Sequence, residues 1–303
     1  MKTLCTSIAL SLLSTVFANS ASAIELWEAH LPGLDTGLSA GSLPPKGFYG
    51  VLNVYSATNT KYDNAGNATP IKLDAVVVVP VVLWSTGLTV LGGRYAVAFS
   101  QPFDCTKLTI PSGPGAGSNS HWGRFNSVIA PAIISWDIDG ETSIKAGLFY
   151  LANNASSSPA NPPSGRGVGA GNGHASWMPE LGVTRRVSDW QLNADFMVSR
   201  NLLDGTTGYQ SGTLLQSDFS AIYQAGRVGY GLGGFTVTQL TDHSGNLPAD
   251  CAGSDCRRRR FALGPLVTYQ LGPAMLSTQY HRDLVTRNGT GGDIFNFRVV
   301  VPF

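Results

Sequence analysis

A histidine near an aspartate is the pattern in this chain that could carry acid–base chemistry. His281 and Asp283 fall in one strand-like segment, whereas His121 and His174 fall in loop-like segments. A histidine can activate a serine for nucleophilic attack when a carboxylate orients its ring. Serines are frequent enough to lie near a histidine by chance, and no motif fixes their geometry. A lipase-like or protease-like barrel enzyme is therefore an alternative, but no catalytic residue is predicted.

The spacing of two cysteines indicates a disulfide bond rather than a metal site. Cys251 and Cys256 are separated by four residues, which allows a small disulfide loop in an oxidising compartment. Two thiolates alone make a weak metal site, and Cys105 has no evident partner. We therefore predict a Cys251–Cys256 disulfide, with no metal and no other cofactor.

Four consecutive arginines form the densest run of charge, at the end of a loop-like segment: Arg257, Arg258, Arg259 and Arg260. Guanidinium groups bind phosphate through paired hydrogen bonds. The run could contact lipopolysaccharide phosphates at the rim of a membrane protein, or it could be a solvated surface. The sequence leaves both interpretations open.

Alternation of apolar and polar residues defines the elements that must position these groups. In the last nine residues one face is apolar and comprises Phe295, Phe297, Val299, Val301 and Phe303. The opposite face holds Asn296 and Arg298. A terminal Phe on such a strand resembles the signal that outer-membrane barrels present to their assembly machinery. Phe303 is predicted to be that assembly signal.

Strand-like segments alternate with short and long connections along the whole chain. They cover residues 47–56, 71–84, 88–103, 124–136, 142–152, 177–186, 190–200, 213–225, 227–239, 259–271, 274–285 and 293–303. We predict an all-β fold, a single antiparallel transmembrane β-barrel of about twelve strands with short periplasmic turns and long extracellular loops. The last strand should pair with the first. Residues 104–123 are predicted to be a long loop, and residues 153–175 a mobile surface loop.

The N-terminal region predicts export. Lys2 precedes an apolar run at 8–16 and the small residues Ala21, Ser22 and Ala23, so we expect a signal peptide at 1–23 that is removed during Sec-type export. Residues 24–303 then form the barrel in the outer membrane of a Gram-negative cell. Residues 24–46, rich in Gly and Pro, are expected to be an irregular segment that is either periplasmic or a plug.

Composition excludes other classes of protein. Charged residues make up 13% of the chain and the formal net charge is +1, so no global attraction for nucleic acid is expected. A soluble β-sandwich would need a charged outer face on most strands, which this chain lacks. Solubility without detergent would support the sandwich.

Most of the predicted inward faces carry charged residues, but the stretch 76–83 carries none. The charged positions are Lys72, Asp74, Arg94, Lys145, Glu180, Arg186, Asp195, Asp218, Asp283 and Arg298. They could line a pore that filters solutes, or they could pair and fill a narrow, closed structural barrel. Residues 76–83 are apolar on both faces, which indicates either a partly hydrophobic lumen or a plug that packs inside. The prolines in strands, Pro80, Pro131, Pro179 and Pro265, should mark bulges or strand ends.

Several short motifs lie along the predicted strands and turns: LPPKGFY at 43–49, YQSG at 209–212, FALGP at 261–265 and the VPF ending. Together they resemble the MetA-pathway phenol-degradation family, which includes sphingosine-induced outer-membrane proteins. The resemblance implies an outer-membrane channel for passive uptake of small hydrophobic or aromatic compounds, linked to their catabolism. The expected partners are such solutes, from the resemblance, outer-membrane lipids with lipopolysaccharide, from the arginine run, and the barrel assembly machinery, from the terminal Phe. The arginine run departs from the family pattern.

Overall fold

A computed structural model describes residues 27–112, 116–158, 169–247, 251 and 255–303. The predicted signal peptide at 1–23 lies outside these residues. All regular secondary structure in the described part is β-strand, and no helix there is long and apolar enough to cross a membrane. The strands are β1 Gly47–Tyr62, β2 Ala68–Val90, β3 Gly93–Ser100, β4 Phe103–Ile110, β5 Gly117–Arg124, β6 Val128–Asp137, β7 Thr142–Leu151, β8 Ser176–Val187, β9 Trp190–Asn201, β10 Tyr209–Gln210, β11 Leu214–Ala225, β12 Val228–Gln239, β13 Ser244–Gly245, β14 Arg259–Leu271, β15 Ala274–Arg287 and β16 Gly289–Pro302.

Twelve antiparallel strands close into a barrel. Around the wall the order is β1, β2, β3, β6, β7, β8, β9, β11, β12, β14, β15 and β16, and β16 pairs with β1. The closing register runs from Tyr49 opposite Pro302 to Tyr62 opposite Gly289. Two-residue turns such as those at Gly226 and Gly272, both with positive φ, join strands at one end. The predicted fold class and closing pair are confirmed.

Two predicted connections are wrong. Residues 104–110 and 117–123, predicted to be part of a loop, form most of strands β4 and β5, which pair with each other, and β4 also pairs with β2. Many residues of these two strands are polar, so their alternation was not recognisable. The turn predicted at 85–87, between the predicted strands 71–84 and 88–103, is instead a register shift within β2. The chain reverses its direction later, at Leu91 and Gly92.

The outer surface is apolar and carries aromatic residues near both ends of the barrel. Leu192 and Phe196 are exposed on β9, while the alternate residues Asn193 and Asp195 are buried. At the periplasmic end the ring of Phe48 stacks on those of Trp84 and Phe303. Toward the other end the stacked or tilted pairs are Phe103 with Trp122 and Tyr150 with Trp177. Aromatic rings at both interfaces are typical of transmembrane barrels.

The strand prolines lie where the hydrogen-bond ladders are irregular. Pro131 falls within the register shift between Ile129 and Ala132, and Pro179 and Pro265 fall in gaps of the β8–β9 and β14–β15 ladders. Pro80 faces the interruption between β3 and β4. A proline has no N–H to donate, so these ladder gaps follow from the sequence.

Residues 27–46 run through the barrel interior, and the apolar core lies there. Trp27 is only 2% exposed, and its cluster includes Leu31 of the segment together with Val77, Phe235 and other inward side chains of the wall. Burial of a large apolar side chain contributes roughly 1.5–3 kcal/mol. The core of this protein is therefore formed between the segment and the inner face of the wall.

Candidate functional site

At the extracellular end the segment is bound by a buried charge network. The carboxylate of Glu28 lies 3.2 Å from Arg258 Nη1 and 3.4 Å from Arg260 Nη1. Arg260 also donates to Asp283, with its Nη2 2.9 Å from Oδ2. Removing one member of such a network would leave a buried charge unpaired.

In the middle of the lumen the wall binds the backbone of the segment. Asp218 accepts hydrogen bonds from the N–H groups of Gly33, at 3.0 Å, and Asp35, at 2.9 Å. Arg298 donates to the carbonyl oxygens of Thr36, at 3.0 Å, and of Leu34. Polar backbone groups inside a dry barrel need such partners, so these charges fix the path of the segment.

An acidic cluster lies beside this backbone anchor. Carboxylate oxygens of Asp35, Glu180 and Asp195 all lie within 4.8 Å of one another. Lys145 Nζ is 2.8 Å from Glu180 Oε1 and 3.8 Å from Asp195 Oδ1. In the register of the sheet Asp195 is directly opposite Asp218, so two inward carboxylates are neighbours. The lumen therefore contains a strongly acidic region on the wall formed by β8, β9 and β11.

Hydroxyl groups hold the segment near the periplasmic end. The N–H of Gly41 donates to Thr184 Oγ1 at 2.9 Å, and Ser135 Oγ donates to the Gly41 carbonyl oxygen at 2.8 Å. Ser85 Oγ donates to the Pro44 carbonyl oxygen at 3.1 Å. The segment is thus bound along the whole height of the barrel.

A mainly apolar cavity of about 140 Å³ remains between the segment and the opposite wall. Its lining comprises Ala29, His30, Leu31, Leu34, Asp35, Val79, Val81, Ala98, Phe99, Ser100, Pro102, Phe125, Val128, Ala130, Phe149 and Met197. The cavity lies at the height of the barrel where β3 ends and β4 begins, and where β5 ends and β6 begins. Its chemistry suits a small apolar molecule.

Loop residues cover part of the extracellular mouth. Asn126 Nδ2 donates to the carbonyl oxygens of Ala152, at 2.7 Å, and Asn172, at 3.1 Å, and its Oδ1 accepts from the Asn172 N–H. Ala170 is fully buried. The described part of 153–175 is a loop, as predicted, but its residues 169–175 are largely buried, and Gly169 packs closely against Ser158.

Eight of the ten residues predicted to face the lumen lie on the inner register. They are Arg94, Lys145, Glu180, Arg186, Asp195, Asp218, Asp283 and Arg298, with Arg94 exposed at the periplasmic mouth. Lys72 and Asp74 face outward, and for them the prediction is wrong. In β2 the inward positions are the buried Leu73 and Ala75. They pair with Asn59 and Ala57 of β1, which also face inward, so the two residues on either side of Leu73 must face outward. The mixed polarity of both faces hid this register.

The arginine run is divided by strand alternation. Arg258 and Arg260 point into the barrel and bind Glu28, so a lipopolysaccharide contact for these two residues is contradicted. Arg259 is exposed on the outer face. Arg257 lies in the preceding loop, where its Nε donates to Asp242 Oδ1 at 2.7 Å. Hydrogen bonds from this guanidinium lower the pKa of the exposed Asp242 carboxyl.

The predicted disulfide lies in the loop that precedes β14, where the Sγ atoms of Cys251 and Cys256 are 2.09 Å apart. Cys105 lies in β4 and is a free cysteine.

The histidines considered for catalysis are in different environments. His281 is fully buried, and its ring meets the edge of Phe235. Asp283 binds Arg260 rather than His281. His174 is 4% exposed and contacts the buried Ser176, whose hydroxyl donates to Asn201. None of these groups faces an open cleft.

Sequence reasoning missed the acidic residues of the segment. Glu28 and Asp35 lie in a stretch without periodicity, so no pattern indicated where their side chains point. Arg258 and Arg260, the partners of Glu28, were predicted to contact lipopolysaccharide, whereas Glu180 and Asp195 beside Asp35 were predicted as inward charges. The sequence offered no signal for them, because the ten predicted inward charges comprise five positive and five negative groups that could pair with one another.

Comparison with known proteins gives one family and several similar folds. A family model described as "Putative MetA-pathway of phenol degradation" matches residues 58–299, roughly four-fifths of the 303 residues. No curated protein matches the sequence.

Among solved structures, the chain is similar to the COG4313 outer membrane channel from Pseudomonas putida F1. The identity is 14% and the TM-score 0.73, over 89% of this chain and 100% of that one. It is also similar to the beta domain of the Bordetella autotransporter BrkA, with 15% identity and a TM-score of 0.53, over 85% and 100% of the two chains. At these identities the likeness shows a shared barrel fold.

Proposed function

The chain belongs to the phenol-degradation family whose model matches it, and we propose that it is an outer-membrane channel for passive uptake of small hydrophobic or aromatic compounds. The proposal needs no cofactor, because a channel supplies only a path and the field along it. The family description links the proposed uptake to degradation of aromatic compounds. One solved structure that is similar over 89% of this chain is itself described as an outer membrane channel.

The observation that carries the proposal is the apolar cavity between residues 27–46 and the inner face of the barrel wall. Apolar cavities of about 150 Å³ in proteins hold benzene and stay free of water. This cavity has a volume of about 140 Å³, and aliphatic and aromatic side chains such as Val81, Phe125 and Phe149 dominate its lining. A single aromatic ring with small substituents is the solute class that it fits.

Residues 27–46 serve as a plug in this proposal. They occupy the lumen and are bound at three levels, by Arg260, by Asp218 with Arg298, and by Thr184. An unselective aqueous pore would need this volume to be empty. The plug restricts passage of water and ions, while the cavity beside it accepts apolar solutes.

Uptake of a radiolabelled monoaromatic hydrocarbon by intact cells tests the proposal. Cells that lack the chain are complemented with the natural protein, with Ala130→Trp or with Ile129→Trp. Ala130 lines the cavity and is 2% exposed, whereas the adjacent Ile129 faces outward and is 43% exposed. We expect uptake to fall about tenfold with Ala130→Trp and to stay unchanged with Ile129→Trp.

Folding of each variant is checked by the heat-dependent shift of barrel mobility in detergent gels. Equal uptake through the natural protein and a folded Ala130→Trp variant would contradict the role of the cavity. Uptake no faster than in cells without the chain would contradict the channel.

A barrel enzyme is the second functional class, and the burial of His281 and His174 speaks against it. We propose that the protein is not an enzyme. Lipase or protease activity of the purified, folded protein, lost on His281→Gln or His174→Gln, would overturn this.

We also propose a narrower lipopolysaccharide site on the outer face. Arg259 of β14 is directly opposite Arg287 of β15, and both side chains are exposed. Two like charges placed opposite each other are unfavourable unless an anion joins them, and a lipid phosphate supplies one.

The Arg259→Gln, Arg287→Gln double variant should co-purify with several-fold less lipopolysaccharide. Arg257→Gln is the matched control, because that guanidinium binds Asp242 in a loop. An unchanged lipopolysaccharide content in the double variant would remove the proposed site. The barrel assembly machinery is the remaining proposed partner, through Phe303.

A further inference from the structure

The acidic cluster in the lumen joins the plug to the wall. Asp35 belongs to the plug, Glu180 to β8 and Asp195 to β9, and their carboxylate oxygens lie within 4.8 Å of one another. We propose that these three carboxylates bind one divalent cation of the calcium class. The site is independent of which solute the barrel admits.

Two carboxylate oxygens of this cluster have no hydrogen bond. Glu180 Oε2 and Asp195 Oδ1 are buried and accept no hydrogen bond from the described residues. The two side chains are only 1% and 6% exposed. A buried carboxylate oxygen left unpaired is costly, and a cation between the two oxygens removes that cost.

The charges of the neighbouring groups leave the cluster negative. Lys145 supplies one ammonium against three carboxylates, and its Nζ lies 2.8 Å from Glu180 Oε1 and 3.8 Å from Asp195 Oδ1, the second distance being too long for a hydrogen bond. His30 Nε2 lies 3.5 Å from Asp35 Oδ2 and adds charge only when protonated. Asp218, opposite Asp195 on the next strand, adds a further negative charge. A divalent cation balances this excess.

Two glycines let these oxygens and the plug approach the wall closely. A Cβ at Gly147 would lie 2.5 Å from Glu180 Oε2, and a Cβ at Gly182 would lie 2.9 Å from Asp195 Oδ1 and overlap the carbonyl oxygen of Ala40. The Ala40 carbonyl, in the plug, is thus a further oxygen near the site. Side chains at these two positions would block it.

The donor set favours calcium over magnesium. Ca²⁺ takes about 6–8 oxygens from carboxylates, backbone carbonyls and water in flexible geometry, whereas Mg²⁺ needs a near-ideal octahedron. Here the protein offers carboxylates from three separate elements, with Ala40 nearby. Because the ligands come from both plug and wall, bound Ca²⁺ fastens the plug.

Calorimetric titration of CaCl₂ into the folded, detergent-solubilised protein tests the site. We expect one Ca²⁺ per chain and at least tenfold weaker binding of Mg²⁺. Asp35→Asn and Glu180→Gln should each weaken Ca²⁺ binding at least tenfold. Asp189→Asn, the same change at an exposed periplasmic turn, should leave it unchanged.

Absence of Ca²⁺ binding by the folded natural protein would overturn the proposal and indicate that the carboxyl groups share protons instead. Binding that survives both Asp35→Asn and Glu180→Gln would place the ion elsewhere and also overturn it. Solute uptake is measured separately, so the channel and the cation site can fail independently.

Discussion

At the scale of single residues, buried charged side chains of the wall hydrogen-bond the backbone of the plug, whereas in the strands the backbone groups pair with one another. The plug has no strand partner, and its backbone groups are bound by side chains of the wall. Arg298 joins Asn53 of β1 to the carbonyl groups of Leu34 and Thr36. One side chain thus connects the closing strand, the first strand and the plug.

Arg298→Gln should therefore destabilise the barrel. The change removes hydrogen bonds from a charged donor and leaves buried carbonyl oxygens unpaired, at a cost of roughly 3 kcal/mol or more. The midpoint of urea unfolding in lipid vesicles should fall accordingly.

Arg282→Gln on the same pair of strands is the control, because Arg282 is 67% exposed and lies 3.6 Å from Asp293. Exposed pairs of this kind contribute about 0–1 kcal/mol. Equal loss of stability in the two variants would show that the plug contacts of Arg298 do not matter.

At the scale of elements, the strands are defined at their periplasmic ends by turns with specific hydrogen bonds. In the β6–β7 turn, the carboxylate of Asp139 accepts from the N–H groups of Thr142 and Glu141 and from Arg185. These bonds, led by the one from Thr142, lower the pKa of Asp139.

Asp139→Asn should consequently destabilise the barrel at neutral pH and lose its effect in acid. A carboxyl whose folded pKa is lowered stabilises the protein above its unfolded pKa, near 3.9, and this contribution is lost as pH falls through the folded value. Unfolding midpoints of both proteins at pH 7 and near pH 2 measure this. The same difference at both pH values would contradict it.

The closing strand ends on a contact that should matter for assembly. Phe303 donates its N–H to the carbonyl oxygen of Phe48, and the two rings stack. Deletion of Phe303 should reduce the amount of folded barrel in the outer membrane several-fold, whereas Phe303→Tyr keeps the ring and should assemble normally. Equal assembly of the two variants would refute an assembly role for the terminal ring.

At the scale of the whole molecule, the plug fills much of a twelve-strand barrel and leaves a small apolar cavity beside it. A variant that lacks residues 27–43 should conduct ions in planar bilayers, while the natural protein should be nearly silent. It should also unfold more easily, because Arg260, Asp218 and Arg298 lose their partners in the plug. A conductance no larger than that of the natural protein would show that loops alone close the lumen.

The sequence by itself determined the barrel. Alternation with period two and short turns at one end are local properties, so the strands, the closing pair and most inward charges were predictable from the residues. Prediction failed where polarity does not alternate, as in the β4–β5 hairpin and at Lys72 and Asp74.

The tertiary structure alone decided what fills the lumen. The sequence left residues 24–46 as periplasmic or plug-like, because an irregular segment carries no period that indicates its partners. Glu180 and Asp195 are brought together by the β8–β9 hairpin, but Asp35 is far from both in the chain, so no local spacing places it beside them. The path of the plug through the closed barrel made Asp35 their neighbour, and it also left the apolar cavity beside them.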